Sequence, residues 1–333
     1  VEVSPHSPEK ILELARGFTQ ARILLTAAEL DIFTLLSAEP LSARELSEQT
    51  GFFLRPLTIL LDALTAMGFI LKKDDRYRTE PALAPFLSAG TPQSIRPMLL
   101  HSAGMWKTWS DLTPIVRDKG VTDRPVTICR DEDELRAFIG AMHVAGSALA
   151  EKIAAVLRPE RVKILLDVGG ASGTYTLAFL KANPNLRAIL FDQPSVVEMA
   201  RQRLGQAGVL DRVTLAGGDF YLDELPPGAD LALLSAVIHQ NSPEQNLDLY
   251  HKVFRALAPG GRIVIRDHIM EPDRTRPRAG AVFAVNMLVA TPGGGTYTFE
   301  EIQEALQAAG FTNVKLLQTG ERMEGLVEAY KPQ

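Results

Sequence analysis

The chain contains one cysteine, two tryptophans and no excess of basic residues. Each shortage excludes something. A single cysteine, Cys129, rules out an internal disulfide and a thiolate metal cluster, and points to a reducing compartment. Lys and Arg number 35 against 40 Asp and Glu, a net charge of −5, so the basic footprint of a general nucleic-acid binder is lacking. No apolar run reaches the roughly 18 residues of a membrane span. The first residues, Val1-Glu-Val-Ser-Pro-His6, have neither the basic nor the apolar region of a secretion signal. What is present is ordinary for a folded protein: 46% hydrophobic and 23% charged residues, which excludes intrinsic disorder. At 333 residues, two structural units are expected, in a cytoplasmic protein.

Residues 8 to about 100 read as helices. Ile11 to Leu36 is apolar on more than one helical face, which predicts burial on several sides. Ser42 with Glu45 forms a capping-box start, and Gly51 and Gly68 sit where helices end. The run 69–79, with Asp74-Asp75 at its centre, reads as a hairpin. Helix, turn, helix and two-stranded wing make the winged-helix pattern, expected over residues 1–100. Its second helix offers Leu57, Ile59, Leu60, Leu61 and Leu64, with Arg55 as the nearby cation. Base edges are read by polar and basic side chains, so a packing or dimer-forming module is expected here rather than a DNA-binding regulator.

Residues 101–157 continue as linking helices, with Trp106 and Trp109 three apart and a long helical run from Leu135 to Leu157. From 158 to 333 the texture changes. Apolar runs at 162–167, 188–191, 213–216, 231–235, 262–266 and 314–317 alternate with helical stretches. That alternation predicts an α/β unit, a mostly parallel sheet covered on both faces. Gly325 to Tyr330 would close it with an antiparallel C-terminal strand.

The most informative segment is Asp167-Val-Gly169-Gly170-Ala171-Ser172-Gly173, where the first apolar run of the sheet pattern leads into a glycine-rich turn and then a helix. Glycine lets the backbone bend sharply and lets a ligand lie against it, and the helix start beyond favours an anionic group such as a carboxylate. A phosphate loop needs Lys-Ser or Lys-Thr after its last glycine, but Thr174-Tyr175 follows here. A dinucleotide turn starting at Gly169 would place Ala171 and Thr174 where glycines belong. The remaining fit is the acidic-x-Gly-x-Gly-x-Gly turn of class I S-adenosylmethionine-dependent methyltransferases, with Ala171 in place of the middle glycine. Asp192 ends the next strand, where a carboxylate can accept both ribose hydroxyls. Gly217-Gly218-Asp219-Phe220 follows the third, with Asp219 for an adenine amino group and Phe220 to cover the ring. Three acids at successive strand ends, where open α/β sheets bind ligands, carry more weight than any one of them.

Nearly the whole chain resembles the small-molecule O-methyltransferases related to plant caffeate enzymes, acetylserotonin methyltransferase and bacterial natural-product methyltransferases. The motifs are 166–173, 191–194, 217–220, Ala256-Leu-Ala-Pro-Gly-Gly261, Thr291-Pro-Gly-Gly294 and 304–311. The resemblance implies a Rossmann-like sheet behind an N-terminal winged-helix dimerisation domain, S-adenosylmethionine as cofactor, no metal, and a homodimer acting on a small-molecule acceptor. It implies cofactor contacts from Asp167, Gly169, Gly170, Gly173, Asp192, Gly218, Asp219, Phe220 and Ser235. His239 matches the family's catalytic base, although Gln240-Asn241 replaces the usual Asp-Trp after it. Asp267 matches an acid that orients that histidine; the family's second such acid falls at Thr296. Acceptor contacts are expected from Trp106, Met142, His143, Phe283, Asn286 and Met287. His268 reads as a strand-end surface residue, the alternative being a polar partner in place of that second acid, and His6 and His251 receive no role. The expected reaction is methyl transfer to a hydroxyl of an aromatic or polyketide-like molecule, the alternative being transfer to carbon or nitrogen, or a non-methylating reaction, on the same fold.

Overall fold

The computed structural model describes residues 7–117 and 132–333, so His6 and Cys129 lie outside the described residues. The chain forms two compact units, Val1–Trp106 with Arg136–Val144, and Lys107–Leu135 with Ala145–Gln333.

In the first unit, α1 (Pro8–Glu29) starts at Ser7, whose hydroxyl accepts the Lys10 N–H, with proline in the first turn. It does not run on to Leu36. Asp31, in the left-handed region at φ 54°, breaks it from α2 (Ile32–Ala38). A short β1 (Leu41–Ser42) leads into α3 (Ala43–Thr50), which has the expected capping box and ends on Gly51 at φ +75°. Then come α4 (Leu54–Ala66), β2 (Ile70–Lys73) and β3 (Arg76–Thr79). Asp74 and Asp75 both have positive φ, the turn geometry that matches the twist of paired strands. Leu57, Leu61 and Leu64 lie on one face of α4 and are buried with Phe33, Leu46 and Tyr77, so that face of the apolar second helix is core, while Ile59 is exposed.

The expectation for the first helix fails in part. Ile11, Leu12, Leu14 and Phe18 are 52–67% exposed, and burial on α1 begins only near Leu25. A helix can be apolar all round and still leave one end open if a second chain is its partner. Beyond lie α5 (Ala84–Leu87), α6 (Arg96–Ser110), α7 (Leu112–Arg117) and α8 (Glu132–Val156). By length and composition α8 is apolar enough to cross a membrane, although no unbroken apolar run in it is that long. Its last turns bury Ala150, Ile153 and Ala154 in the core of the second unit.

The second unit is the alternating α/β pattern. In order it has β4 (Ile164–Val168), α9 (Thr174–Ala182), β5 (Arg187–Asp192), α10 (Pro194–Gln206), β6 (Val213–Gly217) and β7 (Ala229–Ser235). There follow α11 (Pro243–Ala256), β8 (Leu257–Asp267), β9 (Ile269–Met270), α12 (Arg278–Ala290), β10 (Tyr297–Thr298), α13 (Phe299–Ala308), β11 (Thr312–Gln318) and β12 (Gly325–Tyr330). Among the described residues, seven strands form one sheet in the order β11-β12-β8-β7-β4-β5-β6. All neighbours pair parallel except β12, which is antiparallel to both β8 and β11. Alternate residues feed two apolar cores, one on each face: Leu166, Leu234 and Ile265 on one side, Leu165, Leu233 and Val264 on the other. Strand order reverses beside β4, and ligands of open α/β sheets bind outside the carboxyl ends there.

Candidate active site

The turn after β4 is held from below and from the side. Asp167 is buried, and one of its oxygens accepts both the Thr176 N–H (3.2 Å) and the Thr176 hydroxyl (2.6 Å), tying strand end to helix start. Burial pushes its carboxyl up to about 6, against the two bonds from Thr176. Asp192, at the end of β5, reaches across the turn: one oxygen accepts the Ala171 N–H at 2.8 Å, the other the Gln193 N–H at 2.7 Å. Burial raises this carboxyl as well, partly offset by those two N–H groups. Gly169 and Gly173 have φ near +70°, and a Cβ on Gly170 would come 2.7 Å from the Leu190 side chain. Ala171 also sits at positive φ, 47°, so the methyl group in place of the middle glycine is accommodated in the left-handed region.

After β6, a Cβ on Gly218 would meet the Phe191 ring at 2.7 Å, so only glycine lets the chain pass. Asp219 then turns back, its carboxylate accepting the Tyr221 N–H (2.8 Å) while its own N–H donates to Asp223 (2.8 Å). Lys252, buried on α11, donates to the carbonyls of Phe220 (2.8 Å) and Tyr221 (2.9 Å) and pins this loop. An open cavity of about 580 Å³ lies along Gln193, Pro194, Gly217, Gly218, Asp219 and Asp223.

After β7 the chain turns through Ala236 (φ 60°) into a single 3₁₀ turn that carries His239. Its Nδ1 lies 3.0 and 2.9 Å from the two oxygens of Asp267, the last residue of β8, which is 1% exposed. Burial alone would raise the Asp267 carboxyl. The charge and hydrogen bond of His239, with the His268 N–H and the Arg266 charge, outweigh burial and hold it below the usual carboxylate range. An ionised carboxylate only accepts, so this contact requires a proton on Nδ1; in the neutral ring Nε2 is then the nitrogen able to take up a proton. The Phe283 ring of α12 stands edge-on to His239 at 4.8 Å. Behind the histidine, the Gly295 N–H donates to its carbonyl at 2.8 Å.

Residues 117–312 match the model of the O-methyltransferase domain, and residues 12–88 that of the O-methyltransferase dimerisation domain. The chain belongs to the O-methyltransferase family. Tetracenomycin polyketide synthesis 8-O-methyl transferase TcmO of Streptomyces glaucescens is 31% identical to it, over 94% of this chain and 95% of the relative. The 3-hydroxy-5-methyl-1-naphthoate 3-O-methyltransferase of Streptomyces sahachiroi is 30% identical, over 92% and 90%. Human N-acetylserotonin methyltransferase, solved in complex with S-adenosylmethionine, shares the fold with a TM-score of 0.84 at 23% identity over the whole of both chains.

The methyltransferase's methyl donor is S-adenosylmethionine, and the residues present fit it. A Cβ at Gly170 or Gly218 would collide with the Leu190 or Phe191 side chain, so glycine keeps both turns tight, and the cavity along Gly217 and Gly218 is of small-ligand size. Asp192, Asp219 and Phe220 are the residues that would hold its nucleoside, two carboxylates and a ring beside that cavity.

The other expected acceptor residues fall into different settings. Asn286 accepts the Trp109 indole N–H at 2.9 Å, and Met287 is buried. In the first unit, Trp106 packs 6.4 Å from Phe18 with Arg22 over its ring, and Met142 and His143 are half-buried on α8. His268 is not at the surface. It is 5% exposed, because Phe283 lies 5.2 Å from its ring and β12 continues the sheet beside it. Sequence reasoning also missed Asn241, taken only as a departure from the motif. It accepts the Tyr221 hydroxyl at 2.6 Å, donates to Asn246 at 2.9 Å and accepts Tyr297 at its carbonyl, so it braces the histidine turn to α11 and the Asp219 loop. No periodicity could have signalled that role, which depends on three distant segments meeting.

Proposed function

We propose that this methyltransferase methylates a phenolic hydroxyl of a fused-ring aromatic or polyketide-like acceptor, with His239 as general base. S-adenosylmethionine supplies a methyl group made electrophilic by its sulfonium. A phenol, with a pKa near ~10, is mostly protonated at neutral pH and needs a base. His239 Nε2 takes the hydroxyl proton, while Asp267 fixes the ring's tautomer and steadies the imidazolium that forms. The observation that carries this reading is the buried Asp267–His239 pair at the carboxyl edge of the sheet, beside the glycine turn. The acceptor class is supported by TcmO, named for a polyketide, and by the naphthoate enzyme. Phe283, 4.8 Å from His239, offers a flat apolar wall. Trp106, Met142, His143, Asn286 and Met287 remain acceptor candidates on the family resemblance. Incubation with isotopically labelled cofactor and a panel of hydroxylated fused aromatics tests the reading. Labelled product is expected from at least one fused-ring phenol; turnover confined to amines would contradict it.

Asp192 is assigned to the ribose hydroxyls. Asp192→Ala is expected to weaken S-adenosylhomocysteine binding about tenfold or more by calorimetry, since hydrogen bonds to a charged group are worth about 1.5–3 kcal/mol. Unchanged affinity would remove Asp192 from the cofactor site.

The homodimer reading rests on the dimerisation domain and on the open apolar end of α1. Leu14→Glu with Phe18→Glu places two charges on that surface. Light scattering is expected to show a dimer for the parent and a monomer for the variant; a variant that stays dimeric would place the interface elsewhere.

A further inference from the structure

Arg266 lies on β8 directly opposite Ser235 of β7, so both side chains leave the same face of the sheet at its carboxyl edge. That face is covered by α9, and Tyr175 of α9 closes the corner. Arg266 is 5% exposed. Its Nη1 donates to the Tyr175 hydroxyl at 2.6 Å, and its guanidinium lies 5.1 Å from the Tyr175 ring centre. Its buried Nε has no hydrogen-bond partner among the described residues, and no carboxylate there forms an ion pair with it. Asp267 follows it in sequence, but alternation sends that side chain to the opposite face, to His239. From α8, Gly146 comes so near Tyr175 that a Cβ would sit 3.3 Å from its ring.

A buried guanidinium satisfied by one neutral hydroxyl is costly, and a desolvated cation of this kind is normally matched by an anion. Its fork geometry suits a carboxylate. The corner adjoins the start of α9, where the N–H groups and helix dipole also favour negative charge. We propose that Arg266, with Tyr175 and Ser235, receives the α-carboxylate of the cofactor's amino-acid end. This rests on the cofactor reading above and adds a residue that the glycine-turn motif does not contain.

The test is calorimetry with S-adenosylhomocysteine and with its decarboxylated analogue, which keeps the nucleoside, sulfur and amine. The parent is expected to bind the full ligand about 10- to 100-fold more tightly than the analogue. Arg266→Leu is expected to bind the two alike, and Arg266→Lys to recover part of the preference. The leucine removes an unmatched buried charge, so its melting temperature should not fall; if it does, the parent's own ratio and the lysine variant still decide. A parent that binds both ligands equally overturns the assignment, as does a leucine variant that keeps the full preference. Benzoate, titrated into protein saturated with S-adenosylhomocysteine, separates the other source of a carboxylate. Benzoate binding that disappears in Arg266→Leu would assign the site to an acceptor and overturn the proposal. Failure of the parent to bind S-adenosylhomocysteine at all would instead count against the cofactor reading itself.

Discussion

His239→Ala is expected to lower methyl transfer about 10²- to 10⁴-fold while S-adenosylhomocysteine affinity stays within about twofold. The range is the usual worth of a positioned general base. Affinity should hold because the groups assigned to the nucleoside lie at the ends of β4, β5 and β6, whereas His239 follows β7 and is anchored by Asp267 and the Gly295 N–H. Asp267→Asn makes the complementary case. An amide in place of the carboxylate can present its NH₂ to Nδ1, which favours the tautomer with the proton on Nε2, and a protonated Nε2 cannot accept the hydroxyl proton. Rapid-quench measurement of a single turnover reads the chemical step directly. A His239→Ala enzyme within about fivefold of the parent would remove the histidine from the role.

The second large effect is on stability. Asp167→Asn is expected to stabilise the protein at pH 8 by about 3 kcal/mol, and by much less at pH 4. Burial raises this carboxyl from its ordinary 3.8 to about 6 in the folded protein. Below about pH 4 it is protonated whether folded or unfolded, and contributes no difference. Between about 4 and 6 the unfolded chain ionises while the folded one resists, so folding loses free energy as pH rises. Above about 6 the loss is complete, about two pKa units at 1.36 kcal/mol each. Asparagine stays neutral throughout. Since one carboxylate oxygen takes both bonds from Thr176, an amide oxygen in its place can keep them. The opposite sign applies to Asp267, whose lowered carboxyl adds stability above the ordinary carboxylate range and loses it as pH falls through its folded value. Urea midpoints across pH 4 to 8 check this. A gap between parent and Asp167→Asn that does not widen with pH would show that burial does not raise this carboxyl above its ordinary range.

Much of this was legible in the residues. The capping box at Ser42, the hairpin at Asp74-Asp75 and the apolar strand runs are local signals, each decided by a few neighbouring side chains, and they fold as read. The glycine turn and the acids at three strand ends could be placed because topology puts strand ends together. Long-range satisfaction of polar groups could not. Lys252, Asn241 and Arg266 are ordinary residues in sequence, and their roles arise from carbonyls, hydroxyls and a ring contributed by other segments. His268 misled for the same reason: a histidine ending a strand looks exposed until α12 is laid over it. The open end of α1 is the converse, an apolar surface that a single chain leaves uncovered.

The most direct test of the proposed chemistry is where the methyl group lands. With ¹³C-methyl S-adenosylmethionine and an accepted fused-ring phenol, carbon NMR of the isolated product should place the label on a hydroxyl oxygen, and His239→Ala should yield almost none of it. A label bonded to ring carbon or nitrogen, or product formed equally well without His239, would contradict the account.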